Sequence, residues 1–243
     1  MQSLARLSAI VVFVAVAGLP QLAVADVRFT PHSAEYKVKI SVVSGRLRTQ
    51  LKATEVGYTA THHVKPTGFV RMFARGEIEE ISSFTITDNG VLPVHYVSHD
   101  TLSKEPTHAE VDFDWSEHRM SGKVNEAQVT EDLDAFVHDR VSIQYQLMLD
   151  LLQDGGSGQY VYFDIDEFKT VNIRFIGTKQ VRVPAGRFEA VGVQHQAENS
   201  SRITTFWCAE ELDFLPVIIE QHRKGKRRLR ATLREYTPAV LRP

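Results

Sequence analysis

Residues 77–98 read EIEEISSFTITDNGVLPVHYVS, two β-rich runs separated by Asp88-Asn89-Gly90. An Asn-Gly step between such runs is the strongest short hairpin signal a sequence carries. The pattern continues on both sides. Tyr36, Val38, Ile40 and Val42 alternate with Lys37, Lys39 and Ser41, the period of a half-buried strand. Leu47–Ala53 and Tyr58–Val64 read as two more, and Val111, Phe113 and Trp115 alternate with Asp112 and Asp114. A shorter strand is expected from Arg119 to Val124. The second half repeats the theme at Val161–Ile165, Val171–Phe175, Val181–Val183, Phe188–Gln194, Ile203–Cys208 and Val217–His222. The chain closes on Leu229, Ala231 and Leu233 alternating with Arg228, Arg230, Thr232 and Arg234.

One segment breaks this period. Between Asp139 and Gln153, Val141, Tyr145, Met148 and Leu152 fall at helical spacing, with Ile143, Leu147 and Leu151 on a neighbouring stripe. Asp139 is placed to cap the start, and Asp154-Gly155-Gly156 stops the helix. So wide an apolar arc predicts a helix largely buried against the sheet. The fold class expected is mainly β: one antiparallel curved sheet or partly open β-barrel, with one buried α-helix inserted mid-chain. No Pro-, Gly- or Ser-rich linker divides the strand-rich halves, so residues 26–243 are expected to form a single domain.

The first residues have a separate logic. Arg6 precedes a stretch from Leu7 to Val24 without a charge, and Ala23-Val24-Ala25 is followed by Asp26. A charged start, a short apolar run and an A-x-A site describe a cleaved secretory signal peptide over residues 1–25. A spanning helix needs roughly 20 apolar residues, and Gly18, Pro20 and Gln21 interrupt the run too early. Export to the periplasm with cleavage after Ala25 is expected, leaving no transmembrane segment in the mature chain. The absence of Cys after the cut excludes a lipid-modified N-terminus.

Composition excludes more than it assigns. A formal charge of −2 gives no steering toward nucleic acid. The single cysteine, Cys208, rules out an internal disulfide and a thiolate zinc cage. His62 and His63 are adjacent and would point to opposite faces of a strand; neither H-x-x-x-H nor H-E-x-x-H occurs. Asp164, Asp166 and Glu167 resemble the start of a calcium loop but lack its glycine. G-x-S-x-G and Ser-x-x-Lys are both missing, and Ser142 is expected to bond backbone early in its helix. No cofactor, no metal and no enzymatic activity are therefore expected.

Five marks, taken in order, resemble a known family. They are the Tyr36 strand, the Gly90-Val91-Leu92-Pro93 step, Asp139-Arg140-Val141-Ser142-Ile143-Gln144-Tyr145-Gln146-Leu147, Pro184-Ala185-Gly186-Arg187-Phe188, and Thr205-Phe206-Trp207-Cys208-Ala209 running on to Phe214-Leu215-Pro216-Val217. Together they resemble an exported bacterial family known as domain of unknown function number 3108. The resemblance implies a periplasmic, mostly antiparallel β domain and assigns no activity. The plan is more distantly similar to the periplasmic lipoprotein carriers, whose curved sheet wraps a helix and shelters acyl chains.

The expectation for function is a non-enzymatic binding or accessory protein of the cell envelope, sheltering a lipid or other apolar ligand. An envelope protein–protein assembly module without a small ligand is the alternative, and a hydrolase of an envelope polymer a third. Tyr36, Phe113, Trp115, Tyr145, Phe188, Phe206 and Trp207 either line a cavity or fill the core. Trp115 and Trp207 are the preferred ligand candidates, because a buried indole N–H needs a partner. Arg228, Arg230 and Arg234 are candidates for an anionic headgroup. The basic run Lys224, Lys226, Arg227, Arg228 and Arg230 is otherwise a solvated strand face.

Overall fold

The computed structural model describes residues 29–41, 43–68, 75–153, 155–156 and 158–239. The expected signal peptide, its expected cleavage site and Asp154 lie outside these. In chain order the elements are β1 His32–Ile40, β2 Val43–Ala53, β3 Tyr58–Pro66, β4 Ile78–Thr87, β5 Gly90–Asp100, β6 Thr107–Asp114, β7 Arg119–Val124, β8 Ala127–Asp132 and β9 Val137–Asp139. The helix α1 follows at Ser142–Leu152. Then come β10 Gly158–Phe163, β11 Phe168–Val183, β12 Gly186–Ala197, β13 Arg202–Ala209, β14 Leu215–Arg223 and β15 Lys226–Pro238.

All fifteen strands belong to one sheet, in the order β8-β7-β6-β5-β4-β3-β2-β1-β15-β14-β13-β12-β11-β10-β9. Two meanders are joined at a seam where the first strand pairs antiparallel with the last, Tyr36 opposite Leu233 and Ile40 opposite Leu229. The edges β8 and β9 do not pair with each other, so the sheet curves without closing. The expected mainly-β, curved, partly open sheet with one helix is the fold observed.

The Asp-Asn-Gly hairpin sets the position of the helix. Thr87 pairs with Gly90, leaving Asp88-Asn89 as the loop. Gly90 has φ 121°, and a Cβ there would lie 2.5 Å from Gln146 Oε1. Only glycine lets α1 come this close. Gln146 Oε1 uses the space to accept the Val91 N–H at 2.7 Å, and its Nε2 donates to Asp150 Oδ1 at 2.7 Å. Tyr160 of β10 donates to the other oxygen of Asp150. One polar chain thus pins the helix between β5 and β10.

The two apolar stripes of α1 serve two clusters. Tyr145 and Met148 pack with Phe29, Tyr58 and Phe84, while Leu147 and Leu151 pack with Val171, Ile173, Val193, Cys208 and Phe214. The Tyr145 ring is 4.9 Å from that of Phe84 and 5.5 Å from that of Phe29, and Tyr58 stacks on Phe84 at 5.7 Å. The helix start is a reciprocal cap. Asp139 Oδ1 accepts the N–H groups of Val141 and Ser142, and Ser142 Oγ accepts the Asp139 N–H at 2.9 Å. Gly155 N–H closes the far end on Asp150 O at 2.6 Å.

Several boundaries differ from the sequence reading. The helix begins at Ser142 rather than Asp139, because Asp139 belongs to β9 and caps from outside. Strands β8 and β9 were not expected. The first carries no buried residue and the second is only three residues long, so neither shows a period. The β9–β10 pair is parallel, the one departure from antiparallel order. Val171–Phe175 and Val181–Val183 belong to a single strand, β11, whose pairing with β12 slips between Phe175 and Gly177 and so hides its continuity. The Tyr36 strand ends at Ile40 rather than Val42.

Candidate functional site

Cross-strand partners share a face of a sheet. The row Ala34, Thr49, His62, Glu80, Ser98, Ala109 crosses β1 to β6 on the concave side. Four of its six members are polar, and next to it on the same face lie His32, Ser82 and Tyr96. At the centre, Glu80 Oε1 accepts the Tyr96 hydroxyl at 2.8 Å and sits 3.1 Å from Arg140 Nε. Arg140 also reaches Asp164 Oδ1 at 3.5 Å, tying β4 to the β10–β11 turn. Ser82 Oγ donates to Asp139 Oδ2 at 2.6 Å. Burial raises the Asp139 carboxyl to about 6 against the hydrogen bonds from Ser82, Val141 and Ser142 that favour its charge.

Around this paired centre, other buried polar atoms have no protein partner. They are His32 Nε2, Thr49 Oγ1, His62 Nε2 and Ser98 Oγ, all on the concave side of β1, β2, β3 and β5. His32 Nδ1 lies 2.8 Å from Thr30 O, so that nitrogen carries the proton and Nε2 presents a lone pair. Burial, with His32 and Arg140 nearby, lowers the His62 pKa to about 4. At neutral pH the band therefore offers uncharged donors and acceptors around one paired arginine, a setting for water or a polar group.

The predicted arginines lie elsewhere. Leu229, Ala231 and Leu233 face inward, which turns Arg228, Arg230 and Arg234 to the outside. Arg230 Nη1 pairs with Glu220 Oε1 at 2.7 Å, shared with Arg227 at 3.2 Å, and Arg234 lies 3.6 Å from Glu35. Arg228 is exposed and borders an open cleft of about 460 Å³ with Arg202, Gln221, Arg223 and Lys224. A second open cleft, about 330 Å³, is lined by Lys37, Lys39, Arg227, Arg230 and Thr232.

The tryptophans do not converge either. Trp115 Nε1 donates to Pro93 O at 2.6 Å, and its ring lies between Phe113 and Phe136, 5.5 Å from the latter. Trp207 shares the row of Lys37, Thr232, Ile218 and Gly192, on the side of the sheet away from α1, yet both it and Ile218 are buried and belong to the hydrophobic core. A Cβ on Gly192 would stand 2.6 Å from the indole, and the Lys179 ammonium lies 3.5 Å from the ring centroid. Tyr36, Phe113, Tyr145 and Phe188 are buried and fill the core.

The remaining chemistry is local. His62 and His63 do point to opposite faces, His63 meeting Glu77 at 2.8 Å on the outside. Burial pushes the Cys208 thiol pKa up, opposite to what an activated thiolate needs. Among the described residues no group of three or more His, Cys, Asp or Glu could hold a metal ion. None of the described helices is long and apolar enough to cross a membrane. The concave polar band was missed in the sequence. Its only trace is a polar residue at an inward position of otherwise apolar strands, as at His62 between Ala60 and Val64, and that trace needs the register to be read.

Fold and interior together define a β-barrel-like protein built on an open sheet with its own helix lodged inside. The family model described as protein of unknown function (DUF3108) matches residues 28–232, and the chain belongs to that family. No curated protein matches it. Among solved structures it is similar to a β-barrel-like protein of domain of unknown function DUF1849 from Brucella abortus, at 13% identity and a TM-score of 0.61. That match covers 88% of this chain and 100% of the other. A putative exported protein with YmcC-like fold from Bacteroides fragilis matches at 13% identity and a TM-score of 0.34, over 86% of this chain and 98% of its own.

Proposed function

We propose that this is a non-enzymatic accessory protein of the bacterial envelope that works by surface contact, without enclosing an apolar ligand. The observation that carries this reading is the seat of α1. Its Tyr145 side chain is fully buried in the aromatic box of Phe29, Tyr58 and Phe84, the place an acyl chain would need. A close-packed interior has no room for a second apolar body unless the helix leaves. The segment 1–25 supports periplasmic residence after cleavage at Ala25, and the chemistry around Cys208 and Ser142 supports a role without catalysis.

Titrating the mature protein with the fluorescent fatty acid cis-parinaric acid tests the reading. No saturable rise in emission is expected. A one-to-one enhancement displaced by palmitate would return the carrier reading and overturn this one.

A further inference from the structure

The antiparallel order sends every hairpin to one of two ends, and the ends differ in charge. At one end the β14–β15 hairpin carries Arg223, Lys224, Lys226, Arg227 and Arg228, all exposed. Register places Arg202 of β13 opposite Arg223, and Lys39 of β1 opposite Arg230. Other turns of this end carry acids, among them Glu105, Glu126 and Asp166, but few lie beside the hairpin itself. Glu220 is held by Arg227 and Arg230. Further round, Asp164 is engaged by Lys169 and Arg140, and Glu167 by Lys169; Glu198 lies on the β12–β13 turn beside Gln159. At the opposite end the turns carry Glu55, Asp88, Asp114, Glu117, Asp134, Glu210, Glu211 and Asp213, against Arg119, Arg182 and Arg187.

We propose that the basic end, centred on the β14–β15 hairpin and the outer faces of β1 and β15, docks this protein on a lipid bilayer surface bearing anionic headgroups. The proposal rests on the surface-contact reading and names its partner. Three features support it. The cations form two open clefts, of about 460 and 330 Å³, where a phosphate group can meet several side chains at once. Lys37 and Lys39 border one of them and make no ion pair among those the structure shows, so their charge is free for a partner. The opposed acidic end gives the molecule a polarity that orients it on an anionic surface, basic end down. Beside the basic hairpin, Ile40 is 46% exposed at the β1–β2 tip, opposite Leu229, and adds apolar area where the polar headgroups give way to acyl chains.

Flotation of the mature protein with vesicles of phosphatidylethanolamine and phosphatidylglycerol tests this, with phosphatidylcholine vesicles as the neutral reference. Binding is expected only to the anionic vesicles, and it should weaken as salt shortens the Debye length. Each cation near such a surface contributes on the order of a fivefold gain in binding. The double variant Arg227→Glu, Arg228→Glu should therefore lose roughly thirtyfold or more. The pair Glu210→Lys, Glu211→Lys at the other end should float like the wild type. All four side chains are surface residues, and an unchanged thermal melt shows that the variants fold. No flotation, or flotation indifferent to the Arg227 and Arg228 reversal, overturns the proposal; so does retention by an acidic protein alone. Fatty-acid titration judges the accessory-protein reading separately, so either idea can fail without the other.

Discussion

The concave face of one sheet has two regions that differ in how their polar and apolar groups are satisfied. Under α1, the rings of Phe29, Phe84 and Tyr145 pack together with Met148, and Asp139 has a partner for each oxygen. The Tyr145 hydroxyl alone of this group is buried without a hydrogen-bond partner. A few residues along the same strands, Thr49, His62 and Ser98 stand buried without protein partners. The strands are continuous through both regions. What changes is the inward residue type at successive alternate positions: Tyr58 and Ala60 give way to His62 on β3, and Phe84 and Ser82 to Glu80 on β4. An apolar core therefore gives way to a polar band without any break in the ladder, and the helix marks where one ends.

The sharpest way to break this comparison is Tyr145→Ala. Emptying the aromatic box should cost about 4 kcal/mol, read as a drop in the denaturant midpoint at constant slope. A cost under 1 kcal/mol would mean the box is already loose. Asp139→Ala comes next, at about 3 kcal/mol, since it strands the Ser82 hydroxyl and two N–H groups of the helix start.

Acid should act through the buried imidazoles. Burial lowers His62, His138 and His195 each to about 4. The unfolded chain binds their protons first, so their contribution is full above about pH 6.5 and is lost as pH falls toward 4. Each contributes a slope of up to about 1.4 kcal/mol per pH unit. Asp139 works with the opposite sign: its carboxyl is raised to about 6, so its protonation favours the folded chain as pH falls through that value. Three groups outweigh one, and urea midpoints between pH 7 and pH 4.5 should decline. His62→Asn should flatten the decline; a flat wild-type profile would contradict the burial.

The smallest effect is expected at Thr49→Val in the polar band. If the Thr49 hydroxyl is dry, removing an unpartnered group leaves stability unchanged or raises it by up to about 1 kcal/mol. A loss of similar size would show that ordered water completes the site.

The sequence makes one of these regions legible and leaves the other dark. Alternation at Tyr36–Ile40 and Leu229–Leu233, the Asp-Asn-Gly turn and the helical stripes of Tyr145 and Leu147 are local signals, and each is read from neighbours within a few residues. The polar band is made by residues on several strands that meet only through register, so His62 alone gives no warning of Thr49 or Ser98. The same limit left the facings of Trp207 and Arg228 open. Each lies on a strand whose pairing shifts by one residue, between Trp207 and Cys208 in β13 and between Gln221 and His222 in the β14–β15 pair. A one-residue slip reverses which side a residue takes.

The central claim is that the helix, and no lipid, fills the apolar interior. Native mass spectrometry of the protein purified from the cells that make it, with organic extraction of anything it carries, tests that claim most directly. The account predicts the bare mass of a chain beginning at Asp26 and an extract without stoichiometric lipid. A single co-purifying lipid of defined mass, retained at one per chain, would contradict it.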